Sequence, residues 1–522
     1  MNLSNDADKK ESLKNEPFYI TTPIYYVNAE PHIGHTYTTV LADTLARFWR
    51  AYGRDVYFLT GTDEHGDKIV QAARKEGVET QTYVNRIAGI FKSTFEELGF
   101  THNRFIRTTD ADHEKVVQGI LQAVYERGDI YFGEYGGYYC VGCERFYTEK
   151  EMVDGKCPDH QTQLEYISEK NYFFKMSRYQ DWLIKYIEEN PDFIEPESHR
   201  NKVLSFLRDP LGDLCISRPK SRLPWGITLP FDPDYVTYVW FDALINYLTA
   251  IGYPDSEEFK RYWIHAYHIT AKDILIPHAI YWPTMLQSMG AGPYKGLRVH
   301  GYWQVDEAKM SKSLGNVVRP LDMKEKYGFE QFRYFLLREM SFGLDSTFSE
   351  ELLVERINSD LANDFGNLVA RVLGMTERYQ RGIVKKVDGF EGKLAEIAAS
   401  IAVELPALMQ KFDFRKAILK VWELVTAANA FVEERAPWTL AKQGKTEELA
   451  GVLYSLCESL RLLAVFLSAF MPDTSAKLLA KLGIGGGSGT YDESSKWGIL
   501  ADGVKVEKGE GLFPRIEILE KI

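Results

Sequence analysis

The sequence predicts an α/β fold in which a parallel sheet flanked by helices is broken by an insertion and followed by a helical bundle. Three observations lead there. Between Pro17 and Asp129 short apolar strands alternate with helical patterns, each closed by glycine. The same rhythm resumes from Tyr235 to Val299 after a stretch of different composition. Beyond Phe348 the periodicity is almost wholly helical. Strand–helix alternation implies a parallel sheet with helices on its faces, whereas consecutive amphipathic helices imply a bundle.

The elements follow in order. Met1 to Glu16 is polar and lacks an apolar signal-peptide core, so a disordered segment is expected over 1–16. Phe18 to Tyr25 reads as a strand, followed by a helical pattern at Val40, Leu41, Leu45, Phe48 and Trp49 that stops at Gly53. Val56-Tyr57-Phe58-Leu59 reads as a buried strand leading into a polar loop, Gly61-Thr62-Asp63-Glu64-His65-Gly66. Later helices are expected to end at Gly77, Gly99 and Gly128 with left-handed caps. Tyr131 to Asp232 is rich in Tyr, Gly, Cys and Pro and reads as the insertion, after which Tyr235 to Trp240 reads as a returning strand of the sheet. Helical patterns cover Glu350–Thr376, Lys393–Lys411, Phe414–Glu434 and Glu447–Phe470, with Pro437 ending the third. Gly483–Gly489 reads as a flexible link to a tail that returns across the surface at Leu512-Phe513-Pro514. The expected domains are 17–130 and 233–300 as two halves of one sheet domain, 131–232 as the insertion, 301–362 as a connecting region and 363–522 as the helical domain.

A length of 522 residues exceeds what one core supports, and 45% hydrophobic with 26% charged residues is the balance of a globular chain. The net charge of −12 argues against a general nucleic-acid binder, because phosphate neutralisation supplies most sequence-independent affinity, yet it leaves room for one local basic face. Five cysteines, an odd number in so long a chain, argue against a disulfide framework. The longest apolar run, near Leu462 to Met471, is interrupted and too short to span a bilayer. A cytoplasmic location without membrane association is the expectation.

Two short segments carry the chemistry. Pro31-His32-Ile33-Gly34-His35 places two imidazoles and a glycine where the first strand gives way to a helix. A helix start carries unsatisfied N–H groups and partial positive charge, which suit phosphate. Gly34 leaves the backbone open to a flat base or ribose, and His32 and His35 can donate to phosphate oxygens. Lys309-Met310-Ser311-Lys312-Ser313 puts two lysines before Gly315-Asn316, forming a cationic clamp for charge developing on pyrophosphate. Alone, the first segment reads more readily as capping or packing histidines and the second as a solvated loop. In this order they point to an enzyme that holds ATP and breaks it at the α-phosphate.

A third constellation is metallic. Cys140-x-x-Cys143 is followed by Cys157-Pro158-Asp159-His160. Two such pairs across a hairpin-sized spacer can converge four ligands on one tetrahedral Zn²⁺, which closes the coordination sphere and makes the site structural. A redox CxxC would not need the second pair. Cys215 and Cys457 read as buried thiols.

The histidine and lysine segments together resemble the signatures of the class I aminoacyl-tRNA synthetases. Five further stretches are similar to the methionyl branch of that family in its bacterial form with one zinc knuckle: Ile24-Tyr25-Tyr26-Val27-Asn28, the 61–66 loop, the cysteine pairs, Val239-Trp240-Phe241-Asp242-Ala243 and Ala436-Pro437-Trp438. The span between His35 and Lys309 leaves no room for the large editing domain of the valyl, isoleucyl and leucyl relatives. The cysteinyl relatives put a zinc-ligand cysteine upstream of the histidine motif, whereas the first cysteine here is Cys140.

The resemblance implies a Rossmann-like catalytic domain, a zinc-knuckle connective insertion and a helical anticodon-binding domain. It implies two steps: ATP and L-methionine form methionyl-adenylate and pyrophosphate, then the methionyl group passes to the terminal adenosine of tRNA(Met), initiator tRNA included. His32, His35, Lys309 and Lys312 would stabilise the phosphate transition state, with Mg²⁺ on the pyrophosphate. Asp63 would bind the substrate ammonium, and Tyr26, Trp240, Ala243, Tyr247, Ile274 and His278, with the Ile24 backbone, would wall the side-chain pocket. Such a pocket separates near-isosteres by only about 1–3 kcal/mol, making homocysteine and norleucine competitors. Gly34, Lys272 and Asp273 would face the nucleotide, although Ala271 stands where the family usually has glycine. Asn367, Arg371 and Trp438 would read the anticodon. A monomer is expected, since the chain stops soon after Leu512-Phe513-Pro514. Two rivals are a nucleotidyltransferase of the same HxGH superfamily acting on a small metabolite, and a zinc-knuckle RNA-binding module that would leave both phosphate segments unexplained.

Overall fold

The computed structural model describes residues 13–140, 145–147, 152–158, 161–305, 308–309, 317–387, 389–390, 392–485 and 489–517. Two compact units divide the chain: Met1–Glu16, His32–Val56 and Gly301–Ile522 form one, and Pro17–Pro31 with Tyr57–His300 the other.

The second unit is built on a six-stranded sheet in the order Arg104–Arg107, Val56–Asp63, Phe18–Tyr26, Ala266–Ala271, Gly296–His300, Ile194–Glu195. Tyr19 lies opposite Ala266, Tyr267 opposite Gly296, Leu297 opposite Ile194 and Leu59 opposite Arg104, all in parallel register. Helices cover the sheet and bury Leu59, Ile106, Leu297 and Val299 against Val117, Leu121, Met285 and Leu286. Burial on both faces explains why these strands read as continuous apolar runs. Strand order reverses between Phe18–Tyr26 and Ala266–Ala271, which opens a crevice at their carboxyl ends.

Three differences from expectation have physical causes. Gly61, Thr62 and Asp63 belong to the strand Val56–Asp63 and not to a loop, because the ladder continues to Thr62 opposite Arg107. A Cβ at Gly61 would lie 2.0 Å from the Ile106 carbonyl oxygen, so only glycine allows this close pairing. Asp232–Thr237 joins an antiparallel sheet with Thr228–Leu229 and Ser217–Pro219, while the returning parallel strands are Ala266–Ala271 and Gly296–His300. The two-residue connection after Leu229 makes a hairpin, whereas a parallel return needs a crossover. The stretch read as the insertion also supplies Ile194–Glu195 to the edge of the main sheet. It further holds an antiparallel sheet of Arg145–Tyr147, Ile130–Cys140, Glu165–Phe174 and Leu214–Cys215, and the helices Gln180–Glu189 and Glu197–Phe206.

The first unit contains the helix Ile33–Tyr52, stopped by Gly53 at φ 100° as expected. A small sheet of Ala308–Lys309, Trp303–Val305 and Ser346–Phe348 precedes the bundle. Glu350–Arg356 passes through a π-helical stretch, Ile357–Gly366, into Asn367–Gln380; Gly392–Gln410, Phe414–Arg435, Thr446–Leu467 and Pro472–Lys481 follow. Pro437 opens a further helix, Pro437–Lys442, at its first turn, and the left-handed Ala436 (φ 41°) makes the break. Thr446–Leu467 is long and apolar enough to cross a membrane, yet 94% of its apolar window is buried inside the bundle. Arg333, 2% exposed, donates to Asp43 Oδ2 at 2.6 Å and to the Phe470 carbonyl at 3.0 Å, tying the Ile33–Tyr52 helix to the bundle. The tail does return: Phe513 packs by Phe365, and Asn358 exchanges two hydrogen bonds with the Ile516 backbone. Residues 486–488 of the glycine link and 1–12 of the N-terminal segment lie outside the described residues.

Candidate active site

His32 is the N-cap of the Ile33–Tyr52 helix, and its Nδ1 accepts the Gly34 N–H at 3.1 Å. His35 Nδ1 accepts the His32 N–H at 3.3 Å, and the two rings stack with centroids 3.8 Å apart. The Val318 carbonyl accepts the Ile33 N–H at 2.9 Å. The helix start therefore offers fewer open amides than expected, because its own histidines and a neighbouring carbonyl satisfy them. Donation passes to the imidazoles instead: with each Nδ1 accepting, a neutral ring carries its proton on Nε2. Burial, then the charge of His32, holds His35 well below the ordinary histidine range. Gly34 also makes room internally, since a Cβ there would meet the His32 ring at 3.0 Å.

Described residues on either side of the lysine segment contact that helix. Trp303, on the strand before Lys309, packs edge-on to Tyr37 at 5.9 Å, and Val318 binds Ile33. Lys309 ends the strand Ala308–Lys309; Lys312 lies outside the described residues.

In the other unit lie the residues expected to bind the amino acid. Tyr26 ends its strand and donates its hydroxyl to the His65 carbonyl at 2.9 Å. Asp63, 5% exposed, ends the neighbouring strand, and its carbonyl accepts the Val27 N–H at 3.2 Å. Trp240 opens the short helix Trp240–Ala243, half-buried, with Ala243 buried behind it. Ile24 and Trp240 pack on the cluster that contains Tyr247. The Tyr247 hydroxyl and His278 Nε2 are 2.8 Å apart, and His278 Nδ1 is 2.9 Å from the Ile274 carbonyl. A carbonyl only accepts, so Nδ1 carries the proton; burial holds His278 down to about 4, so Nε2 stays unprotonated and accepts from Tyr247. Burial likewise pushes the Tyr247 phenol far up, with a smaller contribution from the negative charge of Asp63. The result is an uncharged wall near one carboxylate. His278 lies in a π-helical turn, Pro277–Tyr281, a distortion frequent at functional sites.

Lys272 and Asp273 sit in a 3₁₀ turn at the end of Ala266–Ala271. Ala271 has φ −79° and ψ 160°, a conformation alanine adopts without strain, so the backbone there does not require the family's glycine.

Sequence reasoning missed buried charges in this unit. Glu64 is fully buried and held by Arg107 Nε and Nη2, each at 2.7 Å, and by the Thr62 and Thr109 hydroxyls. Asp242, 1% exposed, is 2.7 Å from His65 Nδ1 and 2.8 Å from His113 Nε2. For Asp242 the available signal was a charged residue inside the apolar run Val239-Trp240-Phe241-Asp242-Ala243-Leu244, whereas Glu64, in the polar stretch Thr62-Asp63-Glu64-His65, offered none.

Of the four expected metal ligands, Cys140 and Cys157 are buried in one small cluster with Tyr147 and Leu164. Cys143 and His160 lie outside the described residues, and among the described residues no group of three potential ligands occurs. Cys457 is buried as expected, its thiol pushed up to about 12 by burial, while Cys215 is only half-buried beside Arg218 Nη1 at 3.1 Å. In the bundle, the helix with Asn367 and Arg371 packs on the one with Trp438. Asn367 is exposed, Trp438 half-buried, and Arg371 pairs with Glu433 at 2.5 Å.

Comparison with known proteins meets this geometry. The family model described as tRNA synthetases class I (M) matches residues 18–166 and 160–373, and the anticodon binding domain of methionyl tRNA ligase matches 387–521. A methionine--tRNA ligase from Caldanaerobacter subterraneus subsp. tengcongensis is 48% identical over 97% of this chain and 80% of its own length. One from Bacillus subtilis is 43% identical over 98% of this chain and 79% of its own. The Mycobacterium tuberculosis methionyl-tRNA synthetase in complex with methionyl-adenylate superposes with a TM-score of 0.92 at 39% identity, covering 96% of this chain and all of that one. With family models matched over residues 18–373 and 387–521 and relatives of 43–48% identity covering nearly the whole chain, the chain belongs to the methionyl-tRNA synthetase family of class I.

Proposed function

We infer that this chain joins L-methionine to ATP, releasing pyrophosphate and forming methionyl-adenylate, and then transfers the methionyl group to the terminal adenosine of tRNA(Met). The observation that carries the reading is the uncharged Tyr247–His278 pair within electrostatic reach of the buried Asp63 carboxylate, which ends a strand at the sheet's carboxyl edge. An apolar chain with a polarizable sulfur suits the wall, and an ammonium suits the carboxylate. The matched anticodon domain, which a small-metabolite nucleotidyltransferase does not need, sets that rival aside.

In the first step the methionine carboxylate attacks the α-phosphorus, and pyrophosphate leaves. No side chain need act as nucleophile or base, because the carboxylate brings its own charge; catalysis is positioning and electrostatics. His32 and His35 donate Nε2–H to phosphate oxygens, and Lys309 and Lys312 meet the charge of the leaving group. Mg²⁺ bound with ATP supplies further neutralisation there. Lys272 and Asp273 face the nucleotide, supported by their place just past a strand end. A structural zinc held by Cys140, Cys143, Cys157 and His160 is supported by the shared burial of the first and third. Asn367, Arg371 and Trp438 read the anticodon, supported by the packing of their two helices. We place the activity in the cytoplasm, in a monomer.

ATP–pyrophosphate exchange against all twenty amino acids, followed by charging of tRNA(Met), tests the reading. Exchange should require methionine. Exchange supported by another amino acid in its absence overturns the assignment.

A further inference from the structure

We propose that Asp242 is a positioning residue for amino-acid binding, its buried carboxylate holding the strand end that carries Asp63 against the turn that carries Trp240 and Ala243. The inference rests on the pocket reading above.

Three segments distant in sequence meet on this one carboxylate. Asp242 lies in the Trp240–Ala243 helix, between the two wall residues. His65, two residues past Asp63, donates Nδ1–H to Oδ2 at 2.7 Å, and His113, on the helix Ala111–Glu126, donates Nε2–H to Oδ1 at 2.8 Å. A carboxylate accepts only, so both ring protons facing it are fixed. The His65 carbonyl receives the Tyr26 hydroxyl at 2.9 Å, and the Glu64 carbonyl receives the Trp225 indole N–H at 2.6 Å. The segment after Asp63 is thus held by Tyr26, Trp225 and Asp242, and Asp242 supplies the link to the turn of Trp240 and Ala243.

Burial alone does not call for such a charge. Asp242 is 1% exposed, and a buried ionic group is seldom a net source of stability compared with an apolar replacement. What two short charge-assisted bonds provide is orientation, which an aliphatic side chain lacks. Burial opposes the charged form of His65, but the Asp242 charge and hydrogen bond outweigh it and raise its pKa.

The test is steady-state ATP–pyrophosphate exchange on the full chain, with melting temperature measured alongside. Asp242→Asn should raise the methionine KM by about tenfold or more, the scale of losing one hydrogen bond to a charged group. The ATP KM should stay within about twofold, since the interaction is made to amino-acid binding alone. His65→Ala should behave similarly, and His65→Asn, whose Nδ2 stands where Nδ1 stood, should recover most of the loss. A purely structural role predicts a lowered melting temperature, both KM values shifted together and no recovery in His65→Asn. An unchanged methionine KM in Asp242→Asn, or His65→Asn no better than His65→Ala, overturns the proposal; should Asp242→Asn fail to fold, the His65 pair decides. Parent protein whose exchange does not depend on methionine would instead overturn the pocket reading itself.

Discussion

Glu64→Gln changes one atom at the most heavily hydrogen-bonded carboxylate behind the Asp63 strand end. Oε1 receives the Thr62 hydroxyl and Arg107 Nε, and Oε2 receives the Thr109 hydroxyl and Arg107 Nη2, all at 2.7 Å. Whichever end becomes the amide, its N–H₂ faces one threonine and one guanidinium N–H. The threonine can rotate and accept; the guanidinium cannot. One bond becomes a donor–donor contact, and the ion pair is lost. Breaking a buried pair costs about 3–5 kcal/mol. Arg107 is 28% exposed in its side chain and regains water, which brings the expected loss to about 2–3 kcal/mol, the range of hydrogen bonds to charged groups. At about 2–4 °C per kcal/mol, the figure for an unfolding unit the size of Pro17–Pro31 with Tyr57–His300, the melting temperature of that unit should fall by roughly 4–12 °C. Scanning calorimetry reads this directly, and Glu64→Leu combined with Arg107→Met should restore part of it, because no unpaired charge remains. A melting temperature of Glu64→Gln within about 1 °C of the parent would refute the argument.

Four other outcomes are expected. Burial holds His278 near 4 against an ordinary 6.5, so below pH 6.5 the unfolded chain binds a proton that the folded chain refuses. Its stabilisation is complete above about pH 6.5 and declines toward pH 4 by about 1.4 kcal/mol per pH unit; His278→Gln should flatten the urea-stability slope between about pH 5 and 6.5 by that amount, and an unchanged slope contradicts it. Trp438→Ala should leave pyrophosphate exchange almost intact while kcat/KM for tRNA drops about 5–150-fold, the worth of one stacked base; equal losses in both reactions would make Trp438 mere core. Elemental analysis should find about one zinc per chain, lost in Cys140→Ser; equal zinc in both proteins removes the knuckle. Lys312→Ala should lower kcat of adenylate formation about 10²–10³-fold with little change in methionine KM, and a raised KM at constant kcat would assign it to ground-state binding.

Local pattern determined much of this protein. The first strand, the glycine stops at Gly53 and Gly77, the long helices and the returning tail were legible because 3.6-residue periodicity, left-handed caps and apolar runs act over a few residues. The family was legible because the His32–His35 and Lys309–Ser313 segments that carry the resemblance are each contiguous in sequence. Tertiary structure alone decided what depends on distant partners. Pairing with Arg104–Arg107 turned Gly61 to Asp63 from loop into strand, and a hairpin made Asp232–Thr237 antiparallel. Val318 and the histidines' own rings closed the amides of the helix start. The meeting of Asp242 with His65 and His113, 177 and 129 residues away in sequence, was invisible for the same reason: a buried charge has to find its partners in space, and no local spacing records which they are.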